Sequence, residues 1–324
     1  MKKTTDDTSE LLSIERYQAE KKDEWNAFVE GAKNATFLFD RNYMDYHADR
    51  FADHSLMFYR RHRLCGLLPA NALSDGTLSS HQGLTYGGLI VNGEASARLV
   101  ADMMRLLNDY LRGEGFAKVV YKALPWIYHD LPAEEDLHAL THVCGARLVR
   151  RDLSSTIFIN GHIRRFDESR RSGLRKAERA QLQVEESTDY QGFWKVLTDN
   201  LSERFHVSPV HRLDEMLLLV SRFPSHIRLF VVRRGNDILG GTVLYLTKHV
   251  VHTQYISASA EGKKLGALDL LFHYLLNDYD FGRSFFDFGT SASDEPSGVN
   301  APLLFQKEGF GGRGICYDTY EWML

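Results

Sequence analysis

Residues 229–246 read LFVVRRGNDILGGTVLYL, two apolar runs rich in β-branched and aromatic residues around a turn at 234–237. The Gly-Asn-Asp chemistry of that turn supplies the backbone freedom a tight hairpin needs. The same shape occurs upstream, where residues 56–73 read LMFYRRHRLCGLLPANAL around a polar turn at 61–63. Working outward, each hairpin leads to a helix ending in the same five letters, LLNDY at 106–110 and again at 275–279. Each helix then gives way to an apolar strand, AKVVYKAL at 117–124 and SFFDFGT at 284–290. Leu229 follows Leu56 by 173 residues and Leu275 follows Leu106 by 169, so order and spacing agree and point to an internal duplication. Helical periodicity also precedes each hairpin, through Trp25, Phe28 and Val29 in one copy and Phe193, Trp194, Leu197 and Leu201 in the other. Hairpins feeding a strand, helix and strand predict an α/β fold with a mixed sheet, partly antiparallel and partly parallel, in two units. Between them, residues 150–186 hold a strand candidate at 155–160 and a strongly basic helix.

The length of 324 residues suits two domains, and 44% hydrophobic, 25% charged and 12% aromatic residues describe an ordinary globular protein. The net charge of −4 gives no global basic field for DNA or an anionic membrane, so a polyanionic ligand must be met locally. Cys65, Cys144 and Cys316 are far apart and form neither a disulfide framework nor a thiolate metal cage, which fits a reducing cytoplasm. MKKTTDDTSE is not followed by an apolar stretch, so no secretory signal is expected, and no run is long enough to span a membrane.

The order of elements resembles the GNAT acyltransferase fold, and two GNAT-like units in tandem resemble the FemAB-like group. Three segments carry the narrower resemblance. RRSGLRKAERAQLQVEES (170–187) is similar to the Arg-rich helix and strand that join the two units of that group. AEGKKLGALDLLFHYLL (260–276), followed by FDFGTS (286–291), is similar to its loop, helix and strand in the second unit. LLFQKEGFGG (303–312) is similar to its FKxGFG segment. The resemblance spans about residues 20–324 and divides the chain into a polar tail (1–19), a first unit on the acceptor side (20–160), a basic connecting helix (161–185) and a second unit on the donor side (186–324).

What the resemblance implies is a cytoplasmic acyltransferase moving an acyl group from acyl-CoA to an amine of an anionic small molecule or cell-envelope precursor, with no metal. Two features depart from the pattern. A GNAT unit holding coenzyme A usually carries R/Q-x-x-G-x-G/A, whose N–H groups and helix dipole cradle the pyrophosphate. Here the string is GKKLGAL, with Gly262 and Gly266 further apart; Gly262, Lys263, Lys264, Gly266 and Ala267 are the cofactor-binding candidates. The long heptad hairpin of the staphylococcal Fem proteins is also missing, which turns the expectation away from a tRNA-borne amino acid. An aminoacyl-tRNA-dependent peptidoglycan transferase, and a noncatalytic binder of anionic ligands on the same fold, are the alternatives. Neither the oligomeric state nor the acyl group is legible.

Individual residues then take roles. The helix at 162–180 carries seven Arg or Lys against three Asp or Glu, with Arg171, Arg175 and Arg179 at repelling i, i+4 spacings, so it reads as a focused anion site through Arg170, Arg171, Arg175 and Lys176. Acyl transfer builds negative charge on the carbonyl oxygen, and Lys307, which the resemblance places at the acyl site, is the candidate to steady it. Asp287 inside the apolar run FFDFG is either a general base or an anchor for a cation. Tyr255 in HTQYIS and Tyr86 in TYGGLI are placed at corresponding strand positions, as proton donors or as core rings with satisfied hydroxyls. Gly87 beside Gly88 gives a ligand close access to backbone, or forms a bulge. Gly309, Gly311 and Gly314 satisfy G-x-G-x-x-G but sit too near the end of the sequence for a βαβ unit, so the segment is read as a loop. His138 and His142 lack the partners of a metal site, and no G-x-S-x-G is present for a serine nucleophile.

Overall fold

The computed structural model of the chain describes residues 12–159, 166–205, 207–293 and 297–324. Most of the tail assigned to residues 1–19 therefore lies outside the described residues, as do His162, Arg164 and Arg165 of the basic helix. Two compact units emerge: residues up to Arg151 with Cys316–Leu324, and Asp152–Ile315.

In the first unit, β1 (Leu12–Arg16) leads to α1 (Lys22–Gly31), whose Trp25 is fully buried and donates its indole N–H to Phe39 O at 2.7 Å. β1 corrects the polar tail. LSIER turns Leu12 and Ile14 onto the core, a two-residue signal too short to see among charges. The hairpin follows as β2 (Leu56–Arg60) and β3 (Arg63–Leu68), then β4 (Ile90–Val91), giving the sheet order β1-β2-β3-β4. α2 (Ala97–Gly113) starts at the Ser96 cap and buries Val100, Met103, Met104, Leu107 and Leu111, the 3.6-residue stripe that places LLNDY in a helix. β5 (Lys118–Lys122) and α3 (Glu135–His142) complete this part, with β5 parallel to the short strand Thr77–Ser79.

The second unit takes its first strand from β6 (Arg147–Phe158), followed by α4 (Glu168–Arg179) and β7 (Gln183–Ser187). Helices α5 (Tyr190–Phe205) and α6 (Leu213–Arg222) precede the hairpin β8 (Ile227–Arg234) and β9 (Asp237–Leu246), then β10 (Val250–Ala258). α7 (Ala260–Leu265) and α8 (Ala267–His273) form a broken helix, and the second LLNDY continues it as a π turn at Tyr274–Asp278. β11 (Phe285–Thr290) and α9 (Ala301–Gly309) follow, before β12 (Arg313–Met323). Strand order in this unit is β7-β8-β9-β10-β11-β6. The sheet is mixed, because β10 and β11 run parallel while their other neighbours run antiparallel. α5 packs on β9 and β10 and α8 on β8 and β9, so the hairpin strands are buried along nearly their whole length and read as continuous apolar runs.

Two strands carry the chain across the division. The part of β6 after Arg151 pairs with β11 in the second unit, and the part of β12 after Ile315 pairs with β5 in the first. The last nine residues thus complete the first unit's sheet, and α4, expected as a separate connector, packs on α8 inside the second unit. The G-x-G-x-x-G segment is a helix end, a turn and the start of β12 rather than a loop throughout.

Candidate active site

The side chains of β11 alternate. Phe286 and Phe288 enter the apolar cluster with Phe272 and Phe310, which sends Asp287 to the other face of the sheet. Asp287 is fully buried. Its Oδ1 accepts hydrogen bonds from the hydroxyls of Ser154 and Thr156 on β6, the latter at 2.7 Å, and its Oδ2 lies 2.8 Å from His252 Nδ1 on β10. Burial alone would raise the carboxyl's pKa, but the His252 bond and charge, with the two hydroxyls, hold it at about 2. The carboxylate is ionised and completely coordinated.

His252 is the residue the sequence did not single out. It stands opposite Asp287 in the parallel register, and it is the last residue of β10 to pair with β11. β10 continues to Ala258 without its neighbour, so the two strands part immediately beyond the pair. On the far side, the β11 and β6 register also shifts between Asp287 and Thr290, where Gly289 adopts φ +72°. A Cβ at Gly289 would sit 3.2 Å from His252 Cε1, so the glycine makes room for the ring.

Lys307 on α9 reaches the same place from below the strand end. It is 4% exposed, and its Nζ donates to Gly289 O and Thr290 O, both at 2.8 Å. Burial lowers its pKa to about 8. Two of the three ammonium protons therefore hold the end of β11, and Lys307, Asp287 and His252 converge on residues 287–290. Tyr255, further along β10, is turned to the segment between α5 and α6. Its hydroxyl oxygen accepts from the His211 N–H at 3.1 Å and lies 2.6 Å from His211 Nδ1, its ring packs edge-on against Trp194, and burial raises its pKa to about 12.

The glycines of GKKLGA serve packing. Ser259 caps α7 by accepting from Gly262 N at 3.0 Å, and a Cβ on Gly262 would lie 2.0 Å from Leu239 O of β9. Gly266 holds φ +78° at the break between α7 and α8, where a Cβ would lie 2.2 Å from Gly173 O of α4. Lys263 donates to Asn200, Lys264 is exposed, and Ala267 is buried against the apolar cluster. A cavity of about 570 Å³ beside this segment is rimmed by Asp189, Asp199, Glu203, Asp237 and Glu261 against Lys195 and Lys263, an acidic balance. A smaller one of about 260 Å³ is lined by Arg170, Lys263, Gly266, Asp269, Phe305 and Gln306.

The basic helix is less repulsive than its spacing suggests. Glu168 accepts from both Arg171 and Arg175, at 2.7 and 2.6 Å, and Arg170 pairs with Asp269 of α8 at 3.0 Å. Burial nevertheless raises Asp269 to about 6. Lys176 stands exposed one residue beyond. The start of α4 also meets the end of α9, with Asp167 N donating to Gly309 O at 2.9 Å and the Arg170 guanidinium 5.5 Å from the Phe310 ring.

In the first unit, Tyr86 is not in a strand, which corrects its pairing with Tyr255. The turn at Gly88, φ +92°, breaks the ladder there. Its hydroxyl donates to Thr36 Oγ1 at 3.1 Å and its ring packs 4.7 Å from Tyr128, a core role; a Cβ on Gly87 would collide with Ser80 O. His138 and His142 lie with ring centroids 4.4 Å apart on α3, and among the described residues no group of three or more His, Cys, Asp or Glu could hold a metal.

Residues 164–296 match the family described as acetyltransferase (GNAT) domain. The chain is also similar in structure to FemX, with TM-score 0.66 and 12% identity over 96% of this chain and 97% of that one. The chain has a tandem GNAT fold. The same tandem fold is seen in the tandem GNAT protein from the clavulanic acid biosynthesis pathway, TM-score 0.52 at 11% identity over 96% of this chain and 98% of that one. L-PGS from Bacillus licheniformis gives TM-score 0.60 at 13% identity over 94% and 92%. No curated protein matches the chain in sequence. The family match supports a transferase, and no described helix of this tandem GNAT-fold chain is long and apolar enough to cross a membrane.

Proposed function

We propose that this tandem GNAT-fold chain transfers an acyl group from an activated donor, acyl-CoA, to an amine of an anionic small molecule or cell-envelope precursor. One observation carries the reading: within the unit that matches the GNAT family, β10 and β11 part at a buried, fully coordinated carboxylate, and Lys307 holds the strand end beside it. A carbonyl placed at that opening would meet the third ammonium proton of Lys307 as its oxygen gains negative charge. Asp287 keeps a negative charge beneath it, and the Tyr255 hydroxyl supports the segment through which the acceptor would approach. The donor's phosphates would be met at the smaller cavity by Arg170 and Lys263, with Gly266 and Ala267 at its wall and Lys264 nearby; Arg171, Arg175 and Lys176 extend that charge toward the acceptor.

A second donor, aminoacyl-tRNA, is favoured by one feature: Ser259 already takes the Gly262 N–H and the larger cavity beside it is acidic, so the usual pyrophosphate cradle is not open. Thermal unfolding with each donor separates the two. A specific binder at about 100 times its Kd stabilises by about 2.7 kcal/mol, a shift of about 5–10 °C for a unit of this size. Acetyl-CoA should give that shift and uncharged tRNA none. Stabilisation by alanyl-tRNA alone selects the second donor, and consumption of neither donor with any amine refutes the transferase.

A further inference from the structure

The short strand Thr77–Ser79 lies parallel to β5, with Thr77 opposite Lys118 and Ser79 opposite Val120. Leu78, Val119 and Tyr121 point into the core of the first unit, so Thr77, Ser79, Lys118, Val120 and Lys122 share the other face of the sheet. A cavity of about 410 Å³ lies over that face, walled also by Leu73, Asp75 and Gln82. Ser79 is 2% exposed, yet its hydroxyl has no hydrogen-bond partner among the described residues. A buried hydroxyl left in that state is costly unless something in the cavity bonds to it. Lys122 is the other uncompensated group. Its Nζ donates to Leu84 O at 2.9 Å, Gln82 O at 3.2 Å and His81 O at 3.3 Å, which fixes the ammonium at the strand end. No carboxylate among the described residues pairs with it, and burial together with the nearby Arg150 charge pushes its pKa down to about 8. At the opposite end of the cavity the charges offset one another, since Lys118 is 3.9 Å from Glu321 and its charge also acts on Asp75, which accepts from Thr77 N at 3.0 Å. The Ser79 and Lys122 end is therefore electropositive and short of an acceptor.

We propose that this cavity of the first unit binds the phosphoryl group of an organic phosphate monoester, with the Ser79 hydroxyl donating to it and Lys122 as its counter-charge. The three protons of Lys122 already serve carbonyls, so it acts by charge alone. Gln82 Oε1 accepts from Asn71 at 3.3 Å, which leaves the Gln82 amide N–H groups as further donors. Lysine attracts phosphate as a point charge, whereas a carboxylate is best gripped by the two-pronged guanidinium that this cavity lacks. Leu73 and Val120 give the remaining wall an apolar character, and the volume is that of a site for an organic ligand rather than a bare ion. The proposal stands apart from the transferase reading, because it concerns binding in the first unit and is read without turnover.

NMR of the full chain, labelled with nitrogen-15 on the backbone and carbon-13 at lysine Cε, tests this. The protein is titrated with glycerol 3-phosphate, glucose 1-phosphate and adenosine monophosphate, and separately with inorganic phosphate and with acetate. At least one of the three esters should shift the amide signals of residues 77–82 and 118–122. The same ester should raise the titration midpoint of Lys122 above about 8, since a bound anion favours the charged ammonium. Ser79→Ala should weaken that binding by about 10–100-fold, while Arg170→Ala, which alters the smaller cavity of the second unit, should not weaken it. A Lys122 midpoint that no ester moves overturns the proposal, as does binding that Arg170→Ala abolishes and Ser79→Ala leaves intact. Inorganic phosphate binding as tightly as the best ester also overturns it, because the organic part then contributes nothing. Acetate binding as tightly does the same, because no phosphoryl group is then required.

Discussion

Gly262→Ala separates packing from ligand binding. Its backbone is ordinary α-helix, so the change carries no positive-φ strain, and in an open helix position it would stabilise by about 0.5–1 kcal/mol. Here the new Cβ would lie 2.0 Å from Leu239 O and 2.9 Å from Leu239 C, both backbone atoms of β9. Ordinary contact needs more than an ångström of separation that a strand paired on both sides cannot give by rotating a side chain. Overpacking of this kind costs about 1–3 kcal/mol, and the rigid partner puts Gly262→Ala at the upper end. Gly113→Ala is the control, since a Cβ there meets nothing within 4 Å. Denaturant unfolding should show Gly262→Ala destabilised by about 3 kcal/mol and Gly113→Ala unchanged or slightly more stable. A Gly262→Ala protein of wild-type stability that loses donor binding would refute the packing account and restore the glycine as part of a phosphate cradle.

Asp287 has a folded pKa below its unfolded value, so the stability it confers is present above about pH 4 and lost as pH falls toward about 2; the stability gap to Asp287→Asn, about 2 kcal/mol near neutrality, should close across that window in acid titration. Lys307 has a folded pKa lowered to about 8. The unfolded chain then binds more protons between about pH 8 and 10.5, and stability should rise there by up to about 3 kcal/mol from this group, a rise that Lys307→Met should remove. Deleting residues 316–324 takes the strand partner from β5, and hydrogen exchange should show protection lost at 118–122 while the β8–β9 hairpin stays protected.

The duplication was readable because hairpin, helix and strand recur with the same patterning, and 229–246 in particular is buried on both faces and spells out its strands. The resemblance led to Lys307 and the carboxylate inside the apolar run FFDFG to Asp287, and the structure brings both to one strand end. Three things escaped for physical reasons. β1 has only Leu12 and Ile14 to mark it. His252 becomes visible only through the parallel register with β11, and no local pattern encodes which strands pair in parallel. The glycines at 262 and 266 look like a ligand loop because close helix packing and close ligand approach ask for the same missing side chain. The mutual repulsion of the α4 arginines is likewise smaller than their spacing implies, since i, i+4 repulsion is legible while Glu168 taking two of them is a matter of rotamers.

The most direct test is a crystal structure of the second unit's site, in the full chain, with a nonhydrolysable acyl-CoA or aminoacyl-adenosine analogue. The account predicts the acyl carbonyl between residues 253–258 and 288–290, with its oxygen near Lys307 Nζ. An analogue bound elsewhere, leaving the parting of β10 and β11 empty, would contradict it.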